Sequence, residues 1–181
     1  MLSDEQIERW SRQILLPEVG GRGQLRLLEA RVGVCGGGPG AALCVDLLAR
    51  AGIHVADGVP ERADVLVDLD AGDEPGAALA RRAVALDVPL IRGRRTGAGA
   101  TVDTLVGRPC GCCVTAERAP GGGDPDGLAG TTAQACAALV AAEVLATLLE
   151  RPAHGRRQRF DLSQGDFTGG PLAAGGCTVC A

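Results

Sequence analysis

Two Cys-x-x-Cys pairs, Cys110/Cys113 and Cys177/Cys180, are the residues of this sequence best suited to chemistry. One tight turn lets such a pair point two sulfurs at one ion, and two pairs complete the closed tetrahedral set of a structural zinc. With 63 residues between them, the pairs cannot build a zinc ribbon. The ion would instead staple a late loop to a C-terminal tail that would otherwise fray. Cys110-Gly-Cys-Cys113 offers three thiols for two places; spacing favours Cys110 and Cys113, with Cys112 as the alternative. A redox-active Cys-x-x-Cys is the competing reading, although two separate pairs fit a shared metal better than one redox couple. Cys35, Cys44 and Cys136 lie in apolar runs and read as small core residues.

The second candidate is a glycine loop. Gly36-x-Gly38-x-x-Ala41 follows the β-type run Arg31–Cys35 and precedes a helical pattern, the context of the G-x-G-x-x-G/A fingerprint. Such a loop brings backbone N–H groups up to a phosphate at a helix N-terminus. Pro39 removes one of those donors. Asp57 stands about twenty residues on, where an acid reaches a ribose hydroxyl. A tight strand-to-helix turn with no ligand fits the same residues.

The elements that must position these groups follow from periodicity. Ser3 and Gln6 form a capping-box pattern opening a helix with Ile7, Trp10, Ile14 and Leu15 on one face, broken at Pro17 and Gly20-Gly21. A short helix is expected over 24–29, then strand 31–35, helix 41–51 and a weak strand 53–57. A stronger strand at 64–68 precedes helix 75–86 and strand 88–91. Strand 101–106, a Gly/Pro/Asp loop at 119–130, helix 132–149 and strand 158–162 complete the series. The alternation predicts an α/β, Rossmann-like, mainly parallel sheet with helices on both faces, an N-terminal helical segment and a zinc-stapled tail. A single domain is expected over 1–181: N-terminal helices at 1–30, a truncated nucleotide-binding half at 31–108 and a zinc-stapled half at 109–181.

Composition narrows the chemistry. Apolar residues make up 46% of the 181, with two Phe and one Trp, so Leu, Val and Ala must build the core. All 18 basic residues are Arg, and the chain has no Lys, Asn or Tyr. No mechanism needing a lysine ammonium or an Asn amide can therefore run on this chain alone. The net charge of −4 gives no footprint for nucleic acid, and the pairs Arg94-Arg95 and Arg156-Arg157 read as solvated surface. The N-terminus has no cleavage signal, and the apolar stretch 133–149 is short for a bilayer span and interrupted by Glu143. A cytoplasmic protein with no membrane partner is expected, and there disulfides are disfavoured. His54 and His154 each adjoin a turn.

The opening segment from Leu2 to Gly20, LSDEQIERWSRQILLPEVG, closely resembles the N-terminus of the ThiF/MoeB/HesA family of ubiquitin-activating-enzyme-like adenylyltransferases. Further matches run in order through Arg31–Gly40, Asp64–Asp68, Val88–Ile91, Pro109–Cys113, Phe160-Asp161 and Cys177–Cys180. The resemblance implies ATP and magnesium used to adenylate the C-terminal glycine of a ubiquitin-like sulfur carrier protein. It also implies a homodimer and a zinc on Cys110, Cys113, Cys177 and Cys180. Arg12 matches an arginine that reaches the nucleotide phosphates from a neighbouring subunit; Gly36 and Gly38 match the loop beneath the nucleotide.

The chain departs from that family where ATP is held. A segment carrying Asn-x-x-Arg and a phosphate-binding Lys is missing between Asp57 and Asp64, and a Thr-Asp-Asn whose Asp holds magnesium falls at Asp70-Ala71-Gly72. Asp68, Asp70 or Asp73 could substitute. No thiol occupies 116–134, where many members carry one. Three readings result: a helper impaired in ATP chemistry that binds a carrier or pairs with a complete paralogue; an active minimal adenylyltransferase completed by a partner subunit; or a small nucleotide-dependent oxidoreductase.

Overall fold

The structure, a computed structural model, describes residues 1–70, 72–114, 127–150, 155–172 and 177–179, without the side chains of Asp57 and Asp73. Helix α1 (Asp4–Ile14) opens with the expected capping box: Ser3 Oγ accepts from the Gln6 N–H at 3.2 Å, and the Ser3 N–H donates to Gln6 Oε1 at 2.9 Å. Its backbone kinks at Trp10, whose indole N–H caps Arg50 O at 3.1 Å. Helix α2 (Gly20–Glu29) starts earlier than expected, because Gly20, at φ +60°, makes the turn and the helix propagates directly from it. Buried Gln24 donates to Ala51 O at 3.0 Å and ties α2 to the following layer.

Then come β1 (Arg31–Gly36), α3 (Gly38–Arg50), β2 (His54–Asp57), β3 (Val65–Leu69), α4 (Asp73–Leu86), β4 (Leu90–Thr96) and β5 (Gly99–Leu105). The short α5 (Gly111–Val114), the long α6 (Ala129–Leu148), β6 (Arg156–Asp161) and β7 (Asp166–Pro171) complete the fold. One sheet holds all seven strands in the order β2-β1-β3-β4-β5-β6-β7. The first four are mutually parallel, as the βαβ pattern predicts; β5, β6 and β7 extend the sheet antiparallel. "Mainly parallel" is therefore true of one half only. β7 was not foreseen, since its sequence, DFTGGP, is half glycine and proline and lies wholly exposed at an edge, where missing ladder bonds are tolerated.

Period-two alternation sends side chains to two separate cores. Val32, Val34, Val65, Val67, Ile91 and Val102 pack under α3 and α6, while Leu66, Leu90 and Leu105 pack under α4 and α5 with Leu79, Ala80, Ala83 and Val114. Helix α6 is long and apolar enough to cross a membrane by length and composition, against the expectation of a shorter stretch. Here it lies on β3, β4 and β5 and against α3. Its Glu143 is 3% exposed and accepts from Thr104 Oγ1 at 2.7 Å, Gln158 Nε2 at 3.1 Å, and Arg156 Nε and Nη2. On the opposite face Arg157 makes a bidentate pair with buried Asp103 at 2.7 and 3.0 Å. Arg156-Arg157 is thus a correction to the surface reading: alternation on β6 sends each arginine to a different buried carboxylate.

Gly36 fixes the strand-to-helix turn. Its φ is +144°, and a Cβ there would stand 2.1 Å from Leu69 O. Gly36→Ala is expected to cost more than about 3 kcal/mol, combining backbone strain with a clash against a neighbouring strand. Urea unfolding checks this; a loss below about 1 kcal/mol would mean that β1 has room to shift.

Candidate functional site

The strand order reverses between β1 and β3: the chain leaves β1 for β2 on one side, then returns to β3 on the other. Crevices at the carboxyl ends of strands at such a switch point are where open α/β sheets bind ligands. Gly36 and Gly38 lie here, and α3 begins at Gly38 without a side-chain cap. Pro39 falls in the first turn of α3, where the helix has no internal use for its N–H, so it costs the helix nothing. Gly40 is so close to α6 that a Cβ would meet Ala133 O at 3.0 Å. Asp57 ends β2 beside Val34 in the parallel register, which places its backbone at the same edge. Arg12 is exposed on α1, and no ion pair joins it to the loop among the described residues.

Five charges crowd the ends of β3 and β4. Asp68 is fully buried beneath α4, and its Oδ2 accepts from Arg92 Nε at 3.0 Å and Arg94 Nη2 at 2.9 Å. Arg92, 2% exposed, also donates from Nη1 to Gly111 O at 2.8 Å. Its Nη2 has no partner among the described residues. Gly76 lets α4 come down on this cluster, since a Cβ there would stand 2.6 Å from Arg94 Nη2 and 3.0 Å from Asp68 Oδ2. Asp70, in the left-handed region at φ +53°, turns out of the alternation and accepts from Arg95 Nε at 2.8 Å on the α6 side. Arg94 is therefore a second correction to the surface reading, being held by buried Asp68, whereas Arg95 is exposed as expected and pairs with exposed Asp70. Burial pushes the thiols of Cys44 and Cys136 up to about 12, with Asp70 adding to the rise at Cys136. Both remain protonated at neutral pH and are poor nucleophiles, as expected of core cysteines.

Three of the four predicted metal ligands meet. The Sγ atoms of Cys110, Cys113 and Cys177 lie within 4.8 Å of one another, at 3.8 Å for Cys110–Cys113 and 3.5 Å for Cys110–Cys177. Cys180 lies outside the described residues. A tetrahedral zinc with bonds of about 2.3 Å sets its sulfurs about 3.8 Å apart, whereas a disulfide needs about 2.05 Å. The spacing fits a metal. Cys112 does not join this group and packs toward the α4 core instead, because α5 turns successive side chains to different sides. A cavity of about 300 Å³ opens beside Cys110, walled by Ala80, Val84, Leu90, Leu105 and Val179. It lies beneath the tail and not at the glycine loop, so cavity size does not mark the nucleotide edge.

Sequence reasoning missed Arg92 and the pairing of the β4 arginines with Asp68 and Asp70, which it had named only as possible magnesium ligands. The signal was present in the charged residues Arg92, Arg94 and Arg95 inside a run that continues a buried strand, since charges in such positions demand partners.

No family model matches the chain. A stretch of 53 residues is 57% identical to the adenylyltransferase and sulfurtransferase MOCS3 of Mus musculus and 55% identical to that of Bos taurus. That stretch is 29% of this chain and 11% of those proteins, so the chain spans about a tenth of the length of the curated relatives it matches. Among solved structures, PaaA superposes with a TM-score of 0.73 at 15% identity over 96% of this chain and 85% of its own. E. coli MccB in complex with ATP gives 0.73 at 17% identity over 99% and 76%. The chain thus has the fold of PaaA and MccB and, over 53 residues, is similar in sequence to MOCS3.

Metal analysis of the reduced protein is expected to find about one zinc per chain. Cys177→Ser should lower zinc affinity and hasten proteolysis of the tail. Full zinc retention in Cys177→Ser would remove Cys177 from the ligand set.

Proposed function

We propose that this chain is a ThiF/MoeB-type module that binds a carrier polypeptide but is impaired in ATP chemistry, with a structural zinc on Cys110, Cys113, Cys177 and Cys180. The observation that carries the reading is the state of the carboxylates at the end of β3. Adenylation joins a carboxylate oxygen to the α-phosphorus and expels pyrophosphate, and its charge is offset by positioned cations and a divalent metal. Asp68 is claimed by Arg92 and Arg94, and Asp70 by Arg95. A carboxylate already engaged by guanidinium is a poor ligand for magnesium. The sequence also has no Lys or Asn to supply the cation and amide that the resemblance implies.

The zinc supplies no reacting group in this reading. Cys110, Cys113, Cys177 and Cys180 would close its coordination shell and hold the tail beside α5, while Arg92 fixes the carbonyl of Gly111 from the strand side. The partner proposed is a ubiquitin-like sulfur carrier, by kinship with proteins named adenylyltransferase and sulfurtransferase; a cytoplasmic setting keeps the thiols reduced. One observation favours a second reading, an active enzyme completed by a partner subunit. Arg12 stands exposed on α1, which buries none of its residues, so that helix is open to another chain.

Pyrophosphate exchange with ATP, magnesium and candidate carriers separates the two. The isolated protein is expected to bind a carrier without exchange above background. Carrier-dependent exchange by the protein alone would establish the active reading.

A further inference from the structure

The cavity of about 300 Å³ beside Cys110 lies at the end of the sheet opposite the glycine loop. The loop follows the last residue of β1, whereas the cavity sits at the first residue of β4, a strand of the same parallel set. Leu90 opens β4 and Leu105 closes β5; the two pair in register and floor the cavity. Ala80 and Ala83 of α4 form a wall above them, and such small side chains leave the space between helix and sheet unfilled. A volume of about 300 Å³ is the lower end of the range for small-molecule sites.

Two opposite charges line this apolar space. Asp87 stands three residues before Leu90, and Arg108 three residues after Leu105; both are exposed. Among the described residues, neither side chain makes an ion pair or a hydrogen bond. Arg94, Arg95, Arg156 and Arg157, by contrast, are each held by a carboxylate. Asp87 also has the wrong sign for its place. It caps the C-terminus of α4 at φ +54°, and the last turn of that helix has no basic residue. A helix C-terminus carries partial negative charge and favours a cation, so a carboxylate there deepens a negative pole that nothing in the described chain offsets. The cavity therefore presents a cation-seeking pole, a free guanidinium and an apolar floor.

We propose that this cavity binds a free α-amino acid with an aliphatic side chain. Its ammonium lies at Asp87 and the C-terminal pole of α4, and its carboxylate accepts from the Arg108 guanidinium. Its side chain lies over Leu90 and Leu105. A free amino acid is the smallest class of molecule that carries both charges beside an apolar group, which suits a cavity of this size. Charge-assisted contacts at the two rim residues orient the ligand, and burial of its side chain supplies the apolar share of the affinity. Binding is non-covalent and draws on nothing at the nucleotide end of the sheet. Cys110 and Val179 stand in the same wall, so the occupied cavity braces the tail against α4.

Isothermal titration of the full chain, reduced and as purified, with leucine, leucinamide, 4-methylpentanoate and glycine tests the proposal. Leucinamide lacks the carboxylate, 4-methylpentanoate lacks the ammonium, and glycine keeps both charges without the side chain. Leucine is expected to bind, and each of the others to bind about tenfold more weakly or worse, the factor for one charge-assisted contact or one buried aliphatic group. Arg108→Ala and Asp87→Asn should each weaken leucine binding about tenfold. Their circular dichroism should match the parent's, since both side chains are exposed and Asn accepts the left-handed conformation at position 87. Arg108→Ala should also lose the preference for leucine over leucinamide, which a loosened fold would not produce. Leucinamide, 4-methylpentanoate or glycine binding the parent as tightly as leucine would overturn the proposal. So would no leucine binding at about 10 mM, an outcome that leaves the carrier-binding reading untouched.

Discussion

A single buried carboxylate organises the middle of this molecule. Asp68 sits at the end of β3 with no solvent contact, and two guanidiniums from β4 converge on one of its oxygens. Burying such a group alone would cost several kcal/mol; the arginines offset that cost only if β3 and β4 hold their register. Arg92 extends the constraint by donating to Gly111 O, the residue after Cys110 of the cysteine cluster. The end of the parallel sheet, the first turn of α4 over Gly76 and the cysteine knuckle are thereby referred to one point.

The antiparallel half has its own version of the same device. Glu143 enters an otherwise apolar helix and would break its packing were it not met by Thr104, Arg156 and Gln158 from β5 and β6. Asp103 and Arg157 lock the opposite face of the same two strands. With few aromatic side chains, the core is made of Leu, Val and Ala, which fill space but specify register weakly. Buried ion pairs are costly to mispair, so they supply the specificity that small apolar residues lack. An all-arginine cation set suits this work, since the planar fork bonds in two directions at once.

Much of this was legible in the sequence, for identifiable reasons. Ser3 and Gln6 are a local signal and were read correctly. The strands β1, β3 and β4 were found because continuous apolar runs bounded by turns have few alternatives. Cys110 and Cys113 share a turn as their spacing implies, and Cys177 joins them from the tail. What escaped was decided by tertiary context: Arg94, Arg156 and Arg157 look like solvated surface until strand alternation gives each a buried carboxylate. β7 escaped because Gly169, Gly170 and Pro171 argue against a strand, and an edge forgives them. At Asp70, a left-handed residue turned the side chain away from the face that alternation assigns, which no period-two count can foresee.

The most direct test of Asp68 as a structural anchor is a double-mutant cycle by urea unfolding, with Asp68→Asn, Arg92→Gln and the pair, each with and without magnesium. Asp68→Asn keeps volume, and the cycle subtracts the volume lost in Arg92→Gln, so that the coupling reads charge and geometry. If the pair holds the sheet, the coupling energy should reach about 2 kcal/mol, and magnesium should leave the stability of the parent unchanged. A coupling near zero, with magnesium stabilising the parent but not Asp68→Asn, would show that Asp68 serves a metal and not the fold.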